Sequence, residues 1–266
     1  MFPTLALLLG LTAGTPVEAA ATAAQEVDVE LVLAVDMSGS MDLEEARIQR
    51  SGYVEAIRHP DFANAVTAGL LGRVAISYFE WAGSVNETSL VAWQVIETAA
   101  DAAAFADRLA AQPVATRRGT SIANAISFGA TLIRSNDFSG LRRVIDVSGD
   151  GPNNMGPPVS PARDAAVAQG LVVNGLAILI RPSGSTGGLD RYYADCVIGG
   201  AGSFVLPVRT PADFATAIRQ KLVMEISGTG SSPRIVPVQI APPTDCMIGE
   251  KLRPFYLDRV DPPSDK

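Results

Sequence analysis

Apolar runs and amphipathic stretches alternate along this chain, and the alternation predicts strands separated by helices. Residues 29–35 are almost wholly apolar, the pattern of a strand buried on both faces. Residues 42–59 carry helical periodicity, opened by Asp42 as N-cap with Glu45 three positions on and stopped by Pro60. Residues 73–81 and 89–96 read as strands, and the second alternates polar and apolar positions in the manner of an antiparallel sheet edge. An Ala-rich helix over 101–112 ends at Pro113, and a second helix covers 121–134. The pattern continues with a strand at 143–147, a helix at 160–169 stopped by Gly170, strands at 171–180 and 203–208, and a last helix at 211–226. Parallel strands need crossovers long enough to return to the same end, and helices supply them here. The expected fold is therefore α/β: a doubly wound, mostly parallel sheet with helices on both faces and one antiparallel edge strand.

The two ends depart from this pattern. Residues 5–11 are apolar and are followed by the small-residue stretch Ala19-Ala20-Ala21-Thr22-Ala23-Ala24, so residues 1–24 read as an export signal too short to span a bilayer, although no Lys or Arg precedes the apolar run. On this reading the mature protein is periplasmic or secreted, with no transmembrane segment. After Gly228 the prolines multiply (Pro233, Pro237, Pro242, Pro243, Pro254, Pro262, Pro263) and helical periodicity fades, which marks 228–266 as a tail or extended wrap beyond a domain at 27–227. Of the two cysteines, Cys196 lies in the body and Cys246 in this tail. An oxidising compartment allows them to pair and staple the tail down; the alternative is a buried Cys196 beside a free Cys246.

Composition removes several classes of function. With 47% hydrophobic and 18% charged residues the chain is globular, and a net charge of −7 repels phosphate backbones and anionic lipid. Two cysteines and one histidine cannot close a structural zinc site. A Ser–His–Asp triad would have to use His59, which ends the first helix and so lies at the sheet edge opposite the strand-end loops. No G-x-x-x-x-G-K-[ST] or strand-linked G-x-G-x-x-G phosphate cradle occurs.

Ligands of open α/β sheets bind beyond the carboxyl ends of the strands, and the residues there are informative. The first strand delivers Asp36-Met37-Ser38-Gly39-Ser40; in an extended loop the period of two sends Asp36, Ser38 and Ser40 to one side. Far downstream, Arg117-Arg118-Gly119-Thr120-Ser121 leads into a helix, and the strand at 143–147 runs into Ser148-Gly149-Asp150-Gly151-Pro152-Asn153-Asn154. Hydroxyls and carboxylates without Cys, Met or His specify a hard cation, Mg²⁺ above all, with Ca²⁺ or Mn²⁺ as alternatives. The bland reading is an Asx turn at Asp36 and a helix N-cap at Thr120 or Ser121. Glu80 and Trp81 follow the second strand and are expected at the rim of this site, with Trp81 as an interaction anchor; the alternative for Trp81 is a place in the core. Asn153 and Asn154 are turn residues or, alternatively, hydrogen-bond a ligand near the metal. Asp42, Glu44 and Glu45 are explained by the dipole of the helix they open; Arg117 and Arg118 read as a solvated pair or, alternatively, as electrostatic recognition of an acidic ligand.

The constellation Asp36-x-Ser38-x-Ser40, remote Thr120 and remote Asp150 resembles the metal-ion-dependent adhesion site of the von Willebrand factor A domain. The resemblance implies that Ser38, Ser40 and Thr120 bind metal directly and that Asp36 and Asp150 act mostly through waters. Phe79-Glu80-Trp81-Ala82-Gly83, Arg118-Gly119-Thr120-Ser121, the 148–154 loop and Asp195-Cys196-Val197-Ile198-Gly199-Gly200 are similar to an uncharacterised bacterial family of exported A-type proteins. That family implies no known activity. The expected function is a non-enzymatic module for adhesion or envelope assembly, in which a divalent cation captures an acidic side chain of a partner protein. A metal-dependent hydrolase is the competing class, and it lacks a general base other than Glu80 or a ligand carboxylate. A purely structural metal is the third.

Overall fold

The computed structural model describes residues 23–39, 43–180, 188–228 and 244–257. Six strands form one sheet in the order β3-β2-β1-β4-β5-β6. They are β1 (Gln25–Asp36), β2 (Val74–Trp81), β3 (Val85–Ile96), β4 (Phe138–Gly149), β5 (Val172–Ile178) and β6 (Val205–Val208). All neighbours are parallel except β2 and β3, whose antiparallel pairing makes β3 the expected edge strand.

β1 shows how the sequence sets the layers. Its alternate side chains enter two separate cores, Leu31, Leu33 and Val35 on one face and Val32 and Ala34 on the other. The first core is closed by α1 (Leu43–Arg58), α2 (Pro60–Thr67), α3 (Ala99–Ala110) and α7 (Phe214–Ser227), through Tyr53, Phe62, Phe105 and Ile218. The second is closed by α4 (Ile122–Arg134), α5 (Val159–Ala168), α6 (Leu189–Tyr192) and the π turn that continues it, Tyr193–Val197. One polar inset interrupts the first face: Lys221 of α7, almost fully buried, pairs with Asp146 of β4 and, at 2.7 Å, with Glu225.

The structure departs from the sequence-based expectation in several elements, among them α6 and its π turn, which the sequence pattern did not show. Pro60 ends α1, yet it also opens α2, because a proline in the first turn loses no hydrogen bond; His59 N-caps α2, its Nδ1 accepting from the amide of Asp61 at 3.2 Å. β4 starts at Phe138 rather than at 143, since its polar beginning is carried by pairing with residues 25–29 of β1. The segment read as tail contains a helix, α8 (Ile248–Leu257), and Cys246 just before it is bonded to Cys196 in the π turn. Pairing, left open by the sequence, is thus what the structure holds. The leader and most of the Pro-rich segment lie outside the described residues. Among the described residues no helix is long and apolar enough to cross a membrane.

Candidate metal centre

β1 connects outward to β2 on one side, whereas β4 lies on its other side, so the loops leaving β1 and β4 diverge. This is the switch point at which an open α/β sheet forms a crevice. Asp36 is the last residue of β1 and is fully buried. Its Oδ1 accepts from the amide of Ser38 at 2.7 Å, so the Asx-type turn of the bland reading is present. That turn leaves Oδ2 buried with no hydrogen-bond partner. Burial, and then the charge of Asp150, hold the Asp36 carboxyl well above the usual carboxylate range, against hydrogen bonds from Ser38 and from the Asp150 amide that pull it down.

Gly149 permits this proximity. A Cβ there would lie 2.5 Å from the Tyr193 hydroxyl and 2.9 Å from Asp36 Oδ2, so only glycine fits. The Tyr193 hydroxyl is itself buried and without a partner; burial first, then Asp36 and Asp150, keep it protonated. Sequence reasoning missed Tyr193, because nothing local marks a tyrosine whose role depends on a strand 44 positions upstream ending against it.

Ser38 is buried and forms a parallel bridge to Arg117, and Met37 O accepts from the Arg117 amide at 2.9 Å. The segment leading to Thr120 is thereby laid along the Asp36–Ser38 loop. Thr120 in turn is tied to the loop after β4: its amide donates to Asn154 Oδ1 at 2.9 Å, and its carbonyl accepts from the amides of Asn154 and Met155 at 2.9 and 3.1 Å. Gly83 and Gly119 meet back to back beneath Met155, where a Cβ on either would collide with the methionine. The structure therefore brings Asp36, Ser38 and Asp150 together and bridges the Thr120 loop to both of the others. Ser40 lies outside the described residues. Ser121 N-caps α4, accepting from the Asn124 amide at 3.4 Å.

The expected rim is not built from the residues assigned to it. Glu80 is fully buried; it pairs with Arg50 of α1 and accepts from the Tyr78 hydroxyl at 2.9 Å, and burial, opposed by Arg50, raises its carboxyl. Trp81 is 1% exposed and packs in the second core. The reason is common to both: β2 is flanked by β1 and β3, and every one of its residues is buried. Asn153 is buried too, its Oδ1 accepting from Ala123 and its Nδ2 donating to Pro157 O at 3.0 Å and to Glu250 of α8 at 2.7 Å. Asn154 Oδ1 is likewise held by Thr120, so both asparagines help build the loop, Asn153 buried within it and Asn154 half-exposed.

The donor chemistry fits a hard divalent cation. Two carboxylates converge where one is deeply buried and has an oxygen without a hydrogen bond, and the buried hydroxyl residue Ser38 lies beside them. Among the described residues no three His, Cys, Asp or Glu side chains converge on a point.

Comparison with known proteins places this architecture. The proximal thread matrix protein 1 of the mussel byssus, in a structure whose zinc occupies a MIDAS motif, matches with a TM-score of 0.56 and 14% identity over 77% of this chain and 49% of that one. The pilus adhesin SpaC of Lactobacillus rhamnosus GG matches with a TM-score of 0.56 and 14% identity, over 77% of this chain and 32% of the adhesin. The vWF domain of the type V pili tip protein Mfa5 of Porphyromonas gingivalis matches with a TM-score of 0.54 and 10% identity, over 82% of this chain and 100% of that domain. The chain thus spans about half the length of the mussel protein. Its fold is that of a von Willebrand factor A domain. No curated protein matches its sequence. Residues 26–230 match a family described as "Protein of unknown function (DUF1194)".

Proposed function

This chain belongs to the DUF1194 family, and from that premise and its A-domain fold we propose that it is an exported, metal-dependent protein-binding module serving adhesion or envelope assembly. The observation that carries the reading is the Asp36–Asp150 pair at the switch point, where the buried Asp36 carboxyl faces a second carboxyl and its Oδ2 is left without a hydrogen bond. Ser38, Ser40 and Thr120 would hold the ion directly, and Asp36 and Asp150 through water. A bound Mg²⁺, or Ca²⁺ or Mn²⁺, supplies an electrophilic position for an acidic side chain of a partner. The chain's own residues do the orienting. Asp36 is locked by the Ser38 amide, Thr120 by Asn154, and the Asp150 backbone by its hydrogen bond to Asp36. Neutral hydroxyls in direct contact leave the ion with residual positive charge, which favours an anionic ligand over a neutral one. The MIDAS of the mussel protein and the adhesin role in the name of SpaC support this assignment by analogy of fold.

Titration calorimetry with Mg²⁺ and Mn²⁺ on the wild type, Asp36→Ala and Thr120→Ala tests the centre. Binding is expected to fall at least tenfold in both variants while far-UV circular dichroism is unchanged; equal affinity in all three defeats the assignment. For the open position, acetate added to the Mn²⁺-loaded protein is expected to lower water-proton relaxivity by displacing inner-sphere water. Turnover of generic phosphate or ester substrates that disappears in Asp150→Ala would replace the binding module with a hydrolase.

A further inference from the structure

The C-terminal helix α8 touches the one loop that links Asp150 to Thr120. It enters from Cys246, whose bond to Cys196 fixes it to the π turn. Glu250 Oε1 accepts from Asn153 Nδ2 at 2.7 Å. Gly249 is buried so closely against Asn153 that a Cβ would overlap its carbonyl and come within 3.1 Å of Pro152. The Tyr192 hydroxyl, at the end of α6, accepts from the Asn153 amide at 3.2 Å and donates to the Cys246 carbonyl at 3.5 Å. Asn153 passes the constraint onward, because its Oδ1 accepts from Ala123 at 3.2 Å beside Thr120, and the adjoining Asn154 holds the Thr120 amide.

We infer that α8, held by Cys246, is a positioning element of the metal centre: Glu250 and Gly249 set the 150–154 loop through Asn153, and that loop sets Thr120. The role of the strap in metal binding rests on the proposed function; its role in ordering the loop does not. A fully buried amide side chain such as Asn153 must have all its polar atoms paired, and Glu250 supplies one of the partners from outside the A-domain sheet. Removing that partner leaves the Asn153 amide group short of an acceptor, so the loop either opens to water or rearranges. In either case the Thr120 contacts loosen, since the same backbone segment makes them.

The experiment uses the full oxidised chain and three changes. Cys246→Ser cuts the tether. Glu250→Ala removes the acceptor, with Glu250→Gln retaining a carbonyl oxygen as the conservative rescue. Gly249→Ala keeps the disulfide and raises helix propensity, yet wedges α8 away from Asn153. Hydrogen exchange in metal-free protein is read at the amides of Thr120, Ala123, Asn153, Asn154 and Met155. Exchange there is expected to accelerate tenfold or more in Cys246→Ser, Glu250→Ala and Gly249→Ala, to return toward wild type in Glu250→Gln, and to be unchanged at core amides of β1. Mg²⁺ affinity is expected to fall three- to tenfold in the same three variants. Unchanged exchange in both Glu250→Ala and Gly249→Ala overturns the inference, as does faster loop exchange with unaltered Mg²⁺ affinity. A wild type that binds no Mg²⁺ removes the proposed function instead, and the exchange data still decide whether α8 orders the loop. Should Cys246→Ser fail to fold, the Gly249 and Glu250 variants give the answer with the disulfide intact.

Discussion

Asp36 is placed at the expense of stability. A buried carboxylate facing a second carboxylate is held there by the strand it ends and the Ser38 amide that fixes its orientation. Asp36→Asn keeps an oxygen for that amide and removes the repulsion, so the metal-free protein is expected to be more stable by on the order of 1 kcal/mol. The same variant should lose the rise in melting temperature that metal gives the wild type. Thermal unfolding with Mg²⁺ and with EDTA checks both, and a destabilised metal-free variant would contradict the account. Gly149 meets the opposite demand. Because a methyl there collides with Tyr193 and Asp36, Gly149→Ala is expected to cost about 1–3 kcal/mol in urea unfolding and to weaken metal binding.

At the scale of elements, α7 is seated on the sheet by a buried charge cluster as well as by apolar side chains. Lys221 faces Asp146 of β4 and Glu225 of its own helix, and Asn174 of β5 donates to Glu225 at 3.3 Å. Burial, then Asp146, push the Glu225 carboxyl from 4.5 up to about 7, with Lys221 opposing. The folded chain therefore holds this proton more tightly than the unfolded one. Its contribution to stability is complete below about pH 4.5 and is lost as the pH rises through about 7. Glu225→Gln should flatten the fall of melting temperature across that window, and an unaltered slope would exclude Glu225 as its source. Lys221→Met leaves two carboxylates without their cation and is expected to cost about 3 kcal/mol or more at neutral pH in denaturant unfolding. The helices themselves were largely legible from period and stops. α2 was not, because Pro60 reads as an ending and its second use as a beginning depends on the chain turning at His59 to cover Phe62.

For the molecule as a whole, the bond between Cys196 and Cys246 spans 50 residues. Closing a loop of that size contributes about 4 kcal/mol through the unfolded chain's entropy. Cys246→Ser is thus expected to lower the melting temperature by about 10 °C while the sheet and both cores persist. Calorimetry gives the value; collapse of the sheet itself would show that α8 belongs to the core. The two-core architecture makes persistence the expectation, since Cys246 and Ile248 only pack at the margin of the second core.

Sequence alone determined the mostly parallel sheet and the main crossover helices, because burial on both faces leaves an apolar run at 29–35 and long helices announce themselves by period and caps. It also placed Asp36, Ser38 and Asp150 in loops after strands and Thr120 just before a helix, since those positions follow from local pattern. Tertiary structure decided the rest, and in each case the deciding partner is remote. Glu80 and Trp81 sit at a strand end as expected, but Arg50 and the flanking strands bury them. Asn153 looks like a turn residue until Glu250, nearly a hundred positions away, is seen to pair with it. A strand's end is written in local pattern, whereas whether a side chain there faces water or another side chain is set by contacts that only the folded chain creates.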